Sequence, residues 1–567
     1  MTRGLRWTLI AAWIAAPLAL AAWLTRTPPE VLREQLKAWQ FWSLECCVAL
    51  GLALAVLSAP SLTRELRRSD LTRMAALALL ALGLTLFVAP RTNRIYYDEQ
   101  IYQSIGQNFT DLKLAQMCND GVVEYGRLQC RTGEYNKQPY AYPHLLSLVY
   151  RVAGVGATSA FAVNAVAMAL SVVALYVTAL FLFDDRLAAL FAGLIAALTP
   201  QWLLWSATAA VEPSAALTCA LAVMTTALFC RCRTTVTLAA TAVVTAYAVQ
   251  FRPESFLIVP IVGFLLVARA ADELFRSRTW WIGLISFALV AVPVAHLYLV
   301  RNEGWGTAEA RLSLSYVADN FRVNGWFYLA DERFPTAFTL LAGTSLLGRR
   351  LAAERFSLLL YFLLFFGVGL LFYAGSYNYG ADVRYSLMTY PPLAMLAGLG
   401  ASRIAGRLER LSLGFPTSVV VTVALFFQFS WYAPIVRATT EEAWAARADV
   451  RFAESVAPSL RGDSFVLTQN PGMFHVAGVN AGQMSLVSVN PSYLDYLQVR
   501  FPGGVYLHWN FWCNVPVPAQ QEFCRQALAL KPVVAVHEYA ERDQRFVLYR
   551  FSPTVRQDVL AGAEARK

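Results

Sequence analysis

The chain has 567 residues, of which 57% are hydrophobic and 15% are charged, and its mean hydropathy is +0.46. This composition excludes an ordinary soluble globular protein and indicates a polytopic membrane protein. The net charge of +10 does not point to a nucleic-acid-binding protein, because the arginines lie in short segments between apolar runs, where membrane topology accounts for them.

About thirteen apolar runs are long enough to cross a bilayer, and we predict that each forms a transmembrane helix. When the chain is traced from a cytoplasmic N-terminus, every arginine-rich loop falls on the cytoplasmic side, as the positive-inside rule requires. The same count places the tail outside, and an error at one of the two shortest runs would reverse that placement. The predicted spans are 7–24, 41–58, 73–90, 158–183, 187–205, 211–229, 234–250, 254–270, 280–300, 335–348, 356–374, 387–401 and 415–432.

The first run has a second interpretation. Arg3 and Arg6 precede it, and "APLALAA" offers small residues of the kind found at signal-peptide cleavage sites. The run is nonetheless as long as a full span, which favours a transmembrane helix. In that case residues 1–72 hold two helices, and the sequence assigns them no role.

Four of the nine cysteines fall in segments that this topology places outside the cytoplasm. Cys118 and Cys130 lie in the loop after the third span, and Cys513 and Cys524 lie in the tail. Because secreted regions rarely leave thiols unpaired, we expect disulfides there, against the alternative of four unrelated free thiols. The other five cysteines lie within spans or at their cytoplasmic ends, where reduced thiols are normal.

Ionisable residues collect on the predicted outer face, at the ends of several spans. A charge just beyond a span is usually a solvated flank, but burying a charge at membrane depth is expensive, so such residues are functional candidates. Short turns on one face can bring these side chains into a single cavity. The candidates are Asp98 and Glu99 in "YYDEQIY", Lys137 and His144 in "NKQPYAYPHLLSLVYRVAG", Glu212 in "EPSAAL", Arg252 and Glu254 in "FRPES", and Asp382, Arg384 and Tyr385 in "DVRYSLMTYPP".

This set of side chains suits the transfer of a sugar from a lipid carrier. Arg and Lys provide donors that match the oxygens of a phosphate headgroup at the membrane interface. A carboxylate within hydrogen-bond reach can accept the proton of an attacking hydroxyl, and positive charge stabilises the departing phosphate. The nucleotide-binding patterns G-x-x-x-x-G-K-[ST] and G-x-G-x-x-G do not occur in the sequence, and neither does a paired C-x-x-C metal spacing.

In this order and on one face, the quoted motifs resemble the polyprenyl-phosphate-sugar-dependent GT-C glycosyltransferases of family 39. This group includes protein O-mannosyltransferases and the lipid A aminoarabinose transferase. The resemblance covers about residues 73–432. It implies an inverting membrane enzyme that moves a sugar from an undecaprenyl- or dolichyl-phosphate carrier to an acceptor outside the cytoplasm.

The sequence departs from the family pattern at several places, which bears on whether a metal is bound. Two spans precede the helix that leads into the acidic pair, where the family usually has one span before the acidic loop, and Gln138 stands where many members have proline. Asn136 stands where some members have an acid that helps to hold a metal, and a lone histidine such as His296 is more often an interfacial hydrogen-bonding residue than a ligand. A divalent metal is therefore an open alternative.

The resemblance also implies roles for the candidate residues. The implied site comprises Asp98 as general base with Glu99 as its acidic neighbour, Lys137, Arg252 and Arg384 on the lipid phosphate, and Glu212, Glu254 and Tyr385 as further substrate contacts.

Residues 433–567 are predicted to form a small extracytoplasmic α/β domain. "DSFVLTQ", "PVVAVHEY" and "RFVLYRF" are typical of strands, and "AWAARADVRFAESVAP" and "AQQEFCRQALAL" are typical of helices. "NPGMFHVAGVNAGQMS" is predicted to be rich in loops, and it either overhangs the membrane cavity or is part of a structural cap. Trp509 and Trp512 either stack on sugars or belong to the core. The predicted organisation is therefore two extra helices in 1–72, a catalytic membrane domain in 73–432 with a large first outer loop in 91–157, and the tail domain.

The sequence thus predicts an α-helical polytopic glycosyltransferase of the GT-C type, embedded in the lipid bilayer. It would use a polyprenyl-phosphate-linked sugar donor and a lipid, glycan or protein acceptor on the extracytoplasmic side. Two alternatives stay open, a transporter or flippase for the same carrier and an inactive GT-C relative. Transporters tend to show internal repeats, and none is visible here. Five lysines against 42 arginines, together with abundant alanine, indicate a GC-rich bacterial genome. We therefore expect the protein in a bacterial inner membrane, with the N-terminus cytoplasmic and the tail periplasmic.

Overall fold

The computed structural model describes residues 3–304, 310–347, 351–378, 382–410, 416–515 and 517–553. In chain order the α-helices are α1 (Arg3–Arg26), α2 (Pro29–Glu65), α3 (Arg68–Phe87), α4 (Asp98–Asp111), α5 (Ala141–Ala153), α6 (Ala157–Phe183), α7 (Arg186–Ala197), α8 (Pro200–Ser206), α9 (Glu212–Cys232), α10 (Thr235–Ala248), α11 (Ile258–Ala270), α12 (Ser277–Val300), α13 (Val317–Ala330), α14 (Thr336–Ser345), α15 (Ala352–Leu371), α16 (Tyr390–Glu409), α17 (Thr417–Ala438), α18 (Trp444–Val456), α19 (Pro471–Val476), α20 (Ser485–Val489), α21 (Ser492–Arg500), α22 (Phe511–Asn514) and α23 (Pro518–Ala529).

Strands and short 3-10 helices complete the described chain. The strands are β1 (Met117–Glu124), β2 (Arg127–Glu134), β3 (Ser464–Thr468), β4 (Ala481–Gln483), β5 (Gly504–Trp509), β6 (Val533–Glu541) and β7 (Gln544–Phe551). The 3-10 helices are Pro253–Leu257, Ala271–Phe275, Leu314–Tyr316, Asp382–Thr389, Thr439–Ala443 and Ala457–Ser459.

The chain divides into two compact units. The first, called here the membrane unit, comprises Met1–Arg94, Asn136–Val149 and Thr158–Ala443. The second, called here the sheet unit, comprises Ile95–Tyr135, Tyr150–Ala157 and Trp444–Lys567. Part of the segment 91–157, the predicted first outer loop, therefore belongs to the same unit as the tail, an arrangement that the predicted division into 1–72, 73–432 and 433–567 did not include.

Within the described residues, nine helices are long and apolar enough to cross a membrane, or ten spans if one bent pair is counted. The nine match nine of the predicted runs, so the helical membrane architecture is confirmed, although with fewer spans than the expected thirteen. The bent pair is α7 and α8, which meet at 59° and correspond to the run 187–205. The remaining three runs correspond to α10, with fourteen residues, to α14, with ten, and to α16, which carries charges near its end.

Glycines allow α16 to pack closely inside the membrane unit. A Cβ on Gly398 would lie 2.5 Å from the backbone nitrogen of Ala192 on α7. A Cβ on Gly400 would lie 1.9 Å from the carbonyl oxygen of Leu341 on α14. Both distances are shorter than van der Waals contact, so only glycine permits this approach. The packing fixes α16, and with it the 3-10 helix that precedes it and carries three candidate residues, Asp382, Arg384 and Tyr385.

The sheet unit contains one seven-stranded sheet in the order β2-β1-β4-β3-β5-β7-β6. The strand β3 is central and pairs in parallel with β4 and β5, whereas the other pairs are antiparallel. Every residue of β3 is buried, since apolar clusters cover both faces of the sheet. The hairpin β1–β2 comes from the first outer loop and joins the tail strands through β4.

Several predictions for the tail are confirmed. The predicted strands "DSFVLTQ", "PVVAVHEY" and "RFVLYRF" overlap β3, β6 and β7, and the two predicted helices overlap α18 and α23. The loop-rich prediction for "NPGMFHVAGVNAGQMS" is wrong, because this segment contains α19 and β4 and supplies buried side chains to the core. Its glycines and asparagines suggested a loop, but pairing with β3 and β1 orders the backbone.

Both predicted disulfides are present. Cys118 and Cys130 join β1 to β2. Cys513 and Cys524 join α22 to α23. The five remaining cysteines are free in the structure, as expected for thiols within spans or at cytoplasmic ends.

Candidate functional site

Charged side chains from three distant segments meet in the membrane unit. Glu212 is the first residue of α9 and is only 1% exposed. Its Oε1 accepts a hydrogen bond from Arg252 Nη1 and lies 3.1 Å from Arg384 Nε. Arg252 also donates from Nε to Glu254. Two arginines thus converge on one buried carboxylate oxygen. We call Glu212, Arg252, Glu254, Arg384 and Tyr385 the arginine cluster.

Local sequence explains how these groups come to face one another. Glu212 lies in the first turn of α9, where the positive end of the helix dipole favours a carboxylate. Arg252 directly precedes Pro253, and its backbone is extended, with φ −149° and ψ 152°, because a residue before proline avoids helical angles. Arg384 lies in the 3-10 helix Asp382–Thr389, just ahead of α16.

Tyr385 holds both guanidinium groups over its ring. The guanidinium carbon of Arg252 lies 5.1 Å from the centre of the Tyr385 ring, and that of Arg384 lies 5.0 Å away. Both distances fall within the range of cation–π attraction. A guanidinium carries five donors, so an arginine in this position can pair with a carboxylate and with a phosphate at the same time.

A small cavity adjoins the arginine cluster at Arg252. Its walls come from α2, α12, the end of α10 and the 3-10 helix that follows, and they are partly apolar, with Val249, Phe256 and Leu297 among the lining residues. Two buried glutamines, Gln40 and Gln250, also line it. The cavity therefore combines apolar walls, amide groups and one edge of the charged cluster.

Lys137 is joined to this cavity through His296. The His296 ring lines the cavity, and its Nε2 donates to the carbonyl oxygen of Lys137 at 3.2 Å. The Lys137 ammonium donates to the carbonyl oxygen of Gly304 at 2.5 Å. His296 thus acts as a hydrogen-bonding residue that orders the segment carrying Lys137.

The acidic pair begins α4, in the sheet unit. Asp98 is half-buried and Glu99 is fully buried. The Glu99 carboxylate accepts a hydrogen bond from the backbone nitrogen of Ile95 at 3.2 Å, which closes the turn before the helix. The two neighbours therefore have different environments, since one is fixed inside the protein and the other is partly accessible to solvent.

Tyr97, immediately before Asp98, has an unusual backbone. Its φ is 82° and its ψ is −51°, a left-handed conformation that costs a residue with a side chain on the order of 1–3 kcal/mol. The backbone nitrogen of Tyr97 donates to Gln100 Oε1 at 3.1 Å, which holds the turn. Burial, reinforced by the charge of Glu134, raises the pKa of Tyr97 to about 12. The strained turn fixes the position of Asp98 as the first residue of α4.

Tyr96 ties the same turn to the core of the sheet unit. Its hydroxyl donates to Asp449 at 2.5 Å, and Asp449 lies 3.2 Å from Nε2 of the buried His508. His508 Nδ1 shares a hydrogen bond with Thr468 at 3.1 Å. Burial and the neighbouring Asp449 charge raise the pKa of Tyr96 well above its ordinary value. Sequence analysis missed this network because its members lie up to 412 positions apart.

The structure therefore brings together five of the predicted site residues in the arginine cluster and places Lys137 against the adjoining cavity through His296. Asp98 and Glu99 belong to the sheet unit. The side chain of Asp382 and residues 379–381 lie outside the described part of the chain. Trp509 packs against the core of the sheet unit, and the ring of Trp512 lies 5.5 Å from that of Tyr96.

Sequence analysis also missed polar residues that line cavities in the membrane unit. Gln40 and Gln250 line the cavity beside Arg252, and Arg94 and Arg333 line another, beside Val383. One signal was available for Gln250, which stands two residues before Arg252 at the end of an apolar run. Gln40 lies just ahead of a predicted span, where a polar residue is unremarkable.

The described residues do not form a metal site. No group of three or more His, Cys, Asp or Glu side chains among them is arranged to hold a metal ion. His296 is engaged with the Lys137 carbonyl, and Asn136 carries a neutral amide in place of an acid. We therefore derive no chemical step through a metal.

Comparison with known proteins supports the fold. Residues 137–298 match the family model described as dolichyl-phosphate-mannose-protein mannosyltransferase. The structure of ArnT from Cupriavidus metallidurans bound to undecaprenyl phosphate is similar, with a TM-score of 0.53 at 14% identity over 86% of this chain and 99% of that one. ArnT in the apo state gives a TM-score of 0.54 at 14% identity, covering 85% of this chain and 97% of that one. No curated protein sequence matches the chain.

A second kind of enzyme has the same architecture. The archaeal oligosaccharyltransferase AglB from Archaeoglobus fulgidus, in complex with an inhibitory peptide and a dolichol-phosphate, gives a TM-score of 0.51 at 13% identity. The match covers 85% of this chain and 74% of that one. The fold is therefore that of the GT-C glycosyltransferases. The resemblance seen in the motifs is confirmed at the level of the fold.

Proposed function

We propose that this protein transfers a sugar from a polyprenyl-phosphate carrier to an acceptor hydroxyl on the extracytoplasmic side of the membrane. The observation that carries the proposal is the convergence of Arg252 and Arg384 on Glu212 and Tyr385, at the ends of membrane helices. The solved proteins that share the fold were captured with undecaprenyl phosphate or dolichol-phosphate, which supports a lipid phosphate as the ligand here.

In this proposal Arg252, Arg384 and Lys137 hold the phosphate. Glu212 and Tyr385 keep the two guanidinium groups in place before the lipid arrives, so little conformational entropy is lost on binding. As the bond between the sugar and the phosphate breaks, the phosphate gains charge, which the fixed arginines stabilise. Glu254 limits the net charge of the cluster when no lipid is bound.

Asp98 is the general base of the proposed reaction. It accepts the proton of the acceptor hydroxyl while the hydroxyl oxygen attacks the anomeric carbon and the phosphate leaves from the opposite face, with inversion. Glu99, buried and hydrogen-bonded, fixes the start of α4. The partly exposed position of Asp98 suits a base that must meet an incoming substrate.

The proposal also assigns a location, and it differs from two rival functions in the outcome that each predicts. The protein would lie in the inner, or plasma, membrane with its N-terminus in the cytoplasm and the sheet unit in the periplasm. A flippase would move the carrier without breaking a bond, and an inactive relative would bind it without turnover.

Purified protein in nanodiscs, supplied with undecaprenyl phosphate, tests the first step. Wild type is expected to bind the lipid, and Arg252→Ala and Arg384→Ala are each expected to weaken binding about a hundredfold because each removes a charged hydrogen bond to phosphate. Arg322→Ala, at an exposed position on α13, is the matched control. Equal binding by all four proteins would refute the phosphate assignment.

A further inference from the structure

We infer that Tyr96 and Asp449 are positioning residues for Asp98, so that the tail of the chain holds the general base in place. The Tyr96 hydroxyl donates to Asp449 inside the sheet unit, which links the turn before α4 to helix α18. The proposed reaction does not otherwise use this link. The inference rests on the proposed function, because it takes Asp98 as the base.

Tyr97, the residue immediately before Asp98, has a backbone conformation that needs support. Its φ of 82° and ψ of −51° are close to those of the strained form of the γ-turn, which is rare in proteins. Strain of this kind persists where the surroundings determine the geometry, and it concentrates at functional sites. If Tyr97 relaxed, the peptide planes on both sides of it would rotate, and the first turn of α4 would carry Asp98 in a new direction.

Two hydrogen bonds close the turn from within. The backbone nitrogen of Ile95 donates to the Glu99 carboxylate, and that of Tyr97 donates to Gln100. Donors and acceptors all lie in residues 95–100, so these bonds set the shape of the turn. They do not set its place in the sheet unit, which requires an anchor on another element.

Tyr96 provides such an anchor. Its partner Asp449 is 353 positions away in sequence. Aromatic contacts fix the direction of the Tyr96 side chain, since its ring lies 4.8 Å from that of Phe511 and 5.5 Å from that of Trp512, both on α22. The strain at Tyr97 and the contribution of one hydrogen bond to a charged group are of similar size, so the bond is strong enough to hold the turn.

Asp449 is itself held by the centre of the sheet. It is fully buried, and its other carboxylate oxygen lies 3.2 Å from Nε2 of His508 on β5. His508 Nδ1 shares a hydrogen bond with Thr468 at the end of β3, at 3.1 Å, and the His508 ring stacks on Phe452 at 5.4 Å. A buried carboxylate is costly unless it is paired, and here both oxygens have partners. The contacts therefore connect the turn to a strand whose residues are all buried.

The network does not take part in the chemistry directly. Asp449, His508 and Thr468 have the acid–histidine–hydroxyl order of a hydrolase triad, but all three are fully buried, so a substrate does not reach them. Any effect of the network on the reaction must therefore pass through Tyr96 and the turn.

The sheet unit offers a matched control for this link. Tyr493 on α21 donates its hydroxyl to Asp120, a buried carboxylate on β1. The bond is of the same chemical kind and lies in the same unit, but it joins α21 to β1 instead of joining α18 to the turn before α4. Tyr493→Phe therefore reports the general cost of losing a tyrosine–aspartate bond.

Amide hydrogen exchange of the full-length protein in nanodiscs tests the anchor without a substrate. Tyr96→Phe removes the hydroxyl and keeps the ring, and we expect exchange at residues 95–100 to become about tenfold faster. The effect is bounded because the Tyr97 side chain keeps a second bond to the tail, at Gln483. Tyr493→Phe is expected to leave these amides at the wild-type rate. Unchanged exchange in Tyr96→Phe would show that the inference is wrong.

Single-turnover release of undecaprenyl phosphate tests whether the anchor matters for the reaction. The probes are undecaprenyl phosphate bearing mannose, glucose, galactose or arabinose, and binding of bare undecaprenyl phosphate is measured in parallel. We expect Tyr96→Phe and Asp449→Asn each to slow release about tenfold with binding unchanged, and Tyr493→Phe to match wild type. In the Asp98→Asn background, Tyr96→Phe should slow release no further, because a positioning residue acts through the base.

The outcomes separate this inference from the proposed function. If Asp98→Asn is slow while Tyr96→Phe matches Tyr493→Phe, the positioning role is wrong and the proposed function stands. The same conclusion follows if Tyr96→Phe slows the Asp98→Asn protein by the same factor as wild type, which is the result of a general structural effect. If Asp98→Asn releases the lipid at the wild-type rate, the proposed base is wrong and the inference falls with it.

Discussion

Arg384 lies 3.1 Å from the carboxylate oxygen of Glu212 that also accepts a hydrogen bond from Arg252. One buried carboxylate oxygen therefore contacts two arginines that lie 132 positions apart in sequence. Removing one partner of a buried ion pair leaves charge without compensation, which typically costs 3–5 kcal/mol. The relationship makes Glu212 the residue on which the geometry of the cluster depends.

Glu212→Gln is expected to destabilise the membrane unit. The change keeps the shape of the side chain but leaves two guanidinium groups facing a neutral amide, so we expect a loss of about 3 kcal/mol in the free energy of unfolding. Glu254→Gln removes a partner of Arg252 alone from a more exposed position and should cost about 1 kcal/mol. Thermal unfolding of both variants in the same detergent gives the comparison. A Glu212 variant as stable as wild type would contradict the account.

Lysine substitutions separate charge from geometry in the phosphate site. Arg252→Lys keeps one positive charge but loses the planar fork that matches phosphate oxygens and stacks on Tyr385. We expect it to bind undecaprenyl phosphate about tenfold more weakly than wild type and more tightly than Arg252→Ala. If the lysine and alanine variants bind equally, the charge contributes nothing. If the lysine variant equals wild type, the fork and the stacking on Tyr385 are unimportant.

His475 predicts a pH-dependent stability of the sheet unit. Burial lowers the pKa of His475 to about 4, against 6.5 for an ordinary histidine, while its Nε2 donates to the Ala481 carbonyl at 2.9 Å. Between pH 4 and pH 6.5, the unfolded state therefore binds a proton at this histidine that the folded state does not bind. The stabilisation is fully present above pH 6.5 and is lost as the pH falls toward 4, by about 3 kcal/mol.

Unfolding of wild type and of His475→Gln between pH 7 and pH 4 tests this prediction. The glutamine has an amide donor that can replace the ring N–H, but it does not titrate. We expect the stability of wild type to fall more steeply with acid than that of the variant. Parallel pH profiles would show that His475 does not contribute to the acid sensitivity.

The disulfide between Cys118 and Cys130 is expected to stabilise the hairpin that the first outer loop adds to the sheet. The Cys118→Ser, Cys130→Ser double variant should lose about 2–4 kcal/mol, because the bond restricts the unfolded chain. Thermal unfolding gives the loss, and mass spectrometry of unreduced peptides shows whether the bond forms in cells. Fully reduced thiols in protein taken from membranes would argue against an oxidising compartment for this loop.

Much of the architecture follows from the sequence because long apolar runs dictate membrane helices. Hydropathy was less informative for the predicted runs that do not form a single long helix in the structure. Pro200 begins α8 and helps to break the run 187–205 into a bent pair, whereas α14 has only ten residues. Hydropathy measures composition, and it does not register where a helix starts, bends or ends inside a protein core.

The arginine cluster was predictable as a set, because the sequence places costly charges at the ends of several predicted spans. Its pairing was not, since the convergence of Arg252 and Arg384 on one oxygen depends on packing between helices. The pairing of the hairpin β1–β2 with a tail strand was not predictable either. Strands that pair across hundreds of residues leave no periodic signal in either segment, and β4, with three residues, is too short to be recognised alone.

The most direct test of the central claim is whether Asp98 is needed for cleavage of the bond between sugar and phosphate. Single-turnover release of undecaprenyl phosphate from a carrier that wild type accepts is measured for wild type, Asp98→Asn and Asp111→Asn. The last change makes the same substitution at the other end of α4. We predict that Asp98→Asn binds the carrier normally and slows release at least about a hundredfold, while Asp111→Asn stays near wild type. Release by Asp98→Asn at the wild-type rate would contradict the account.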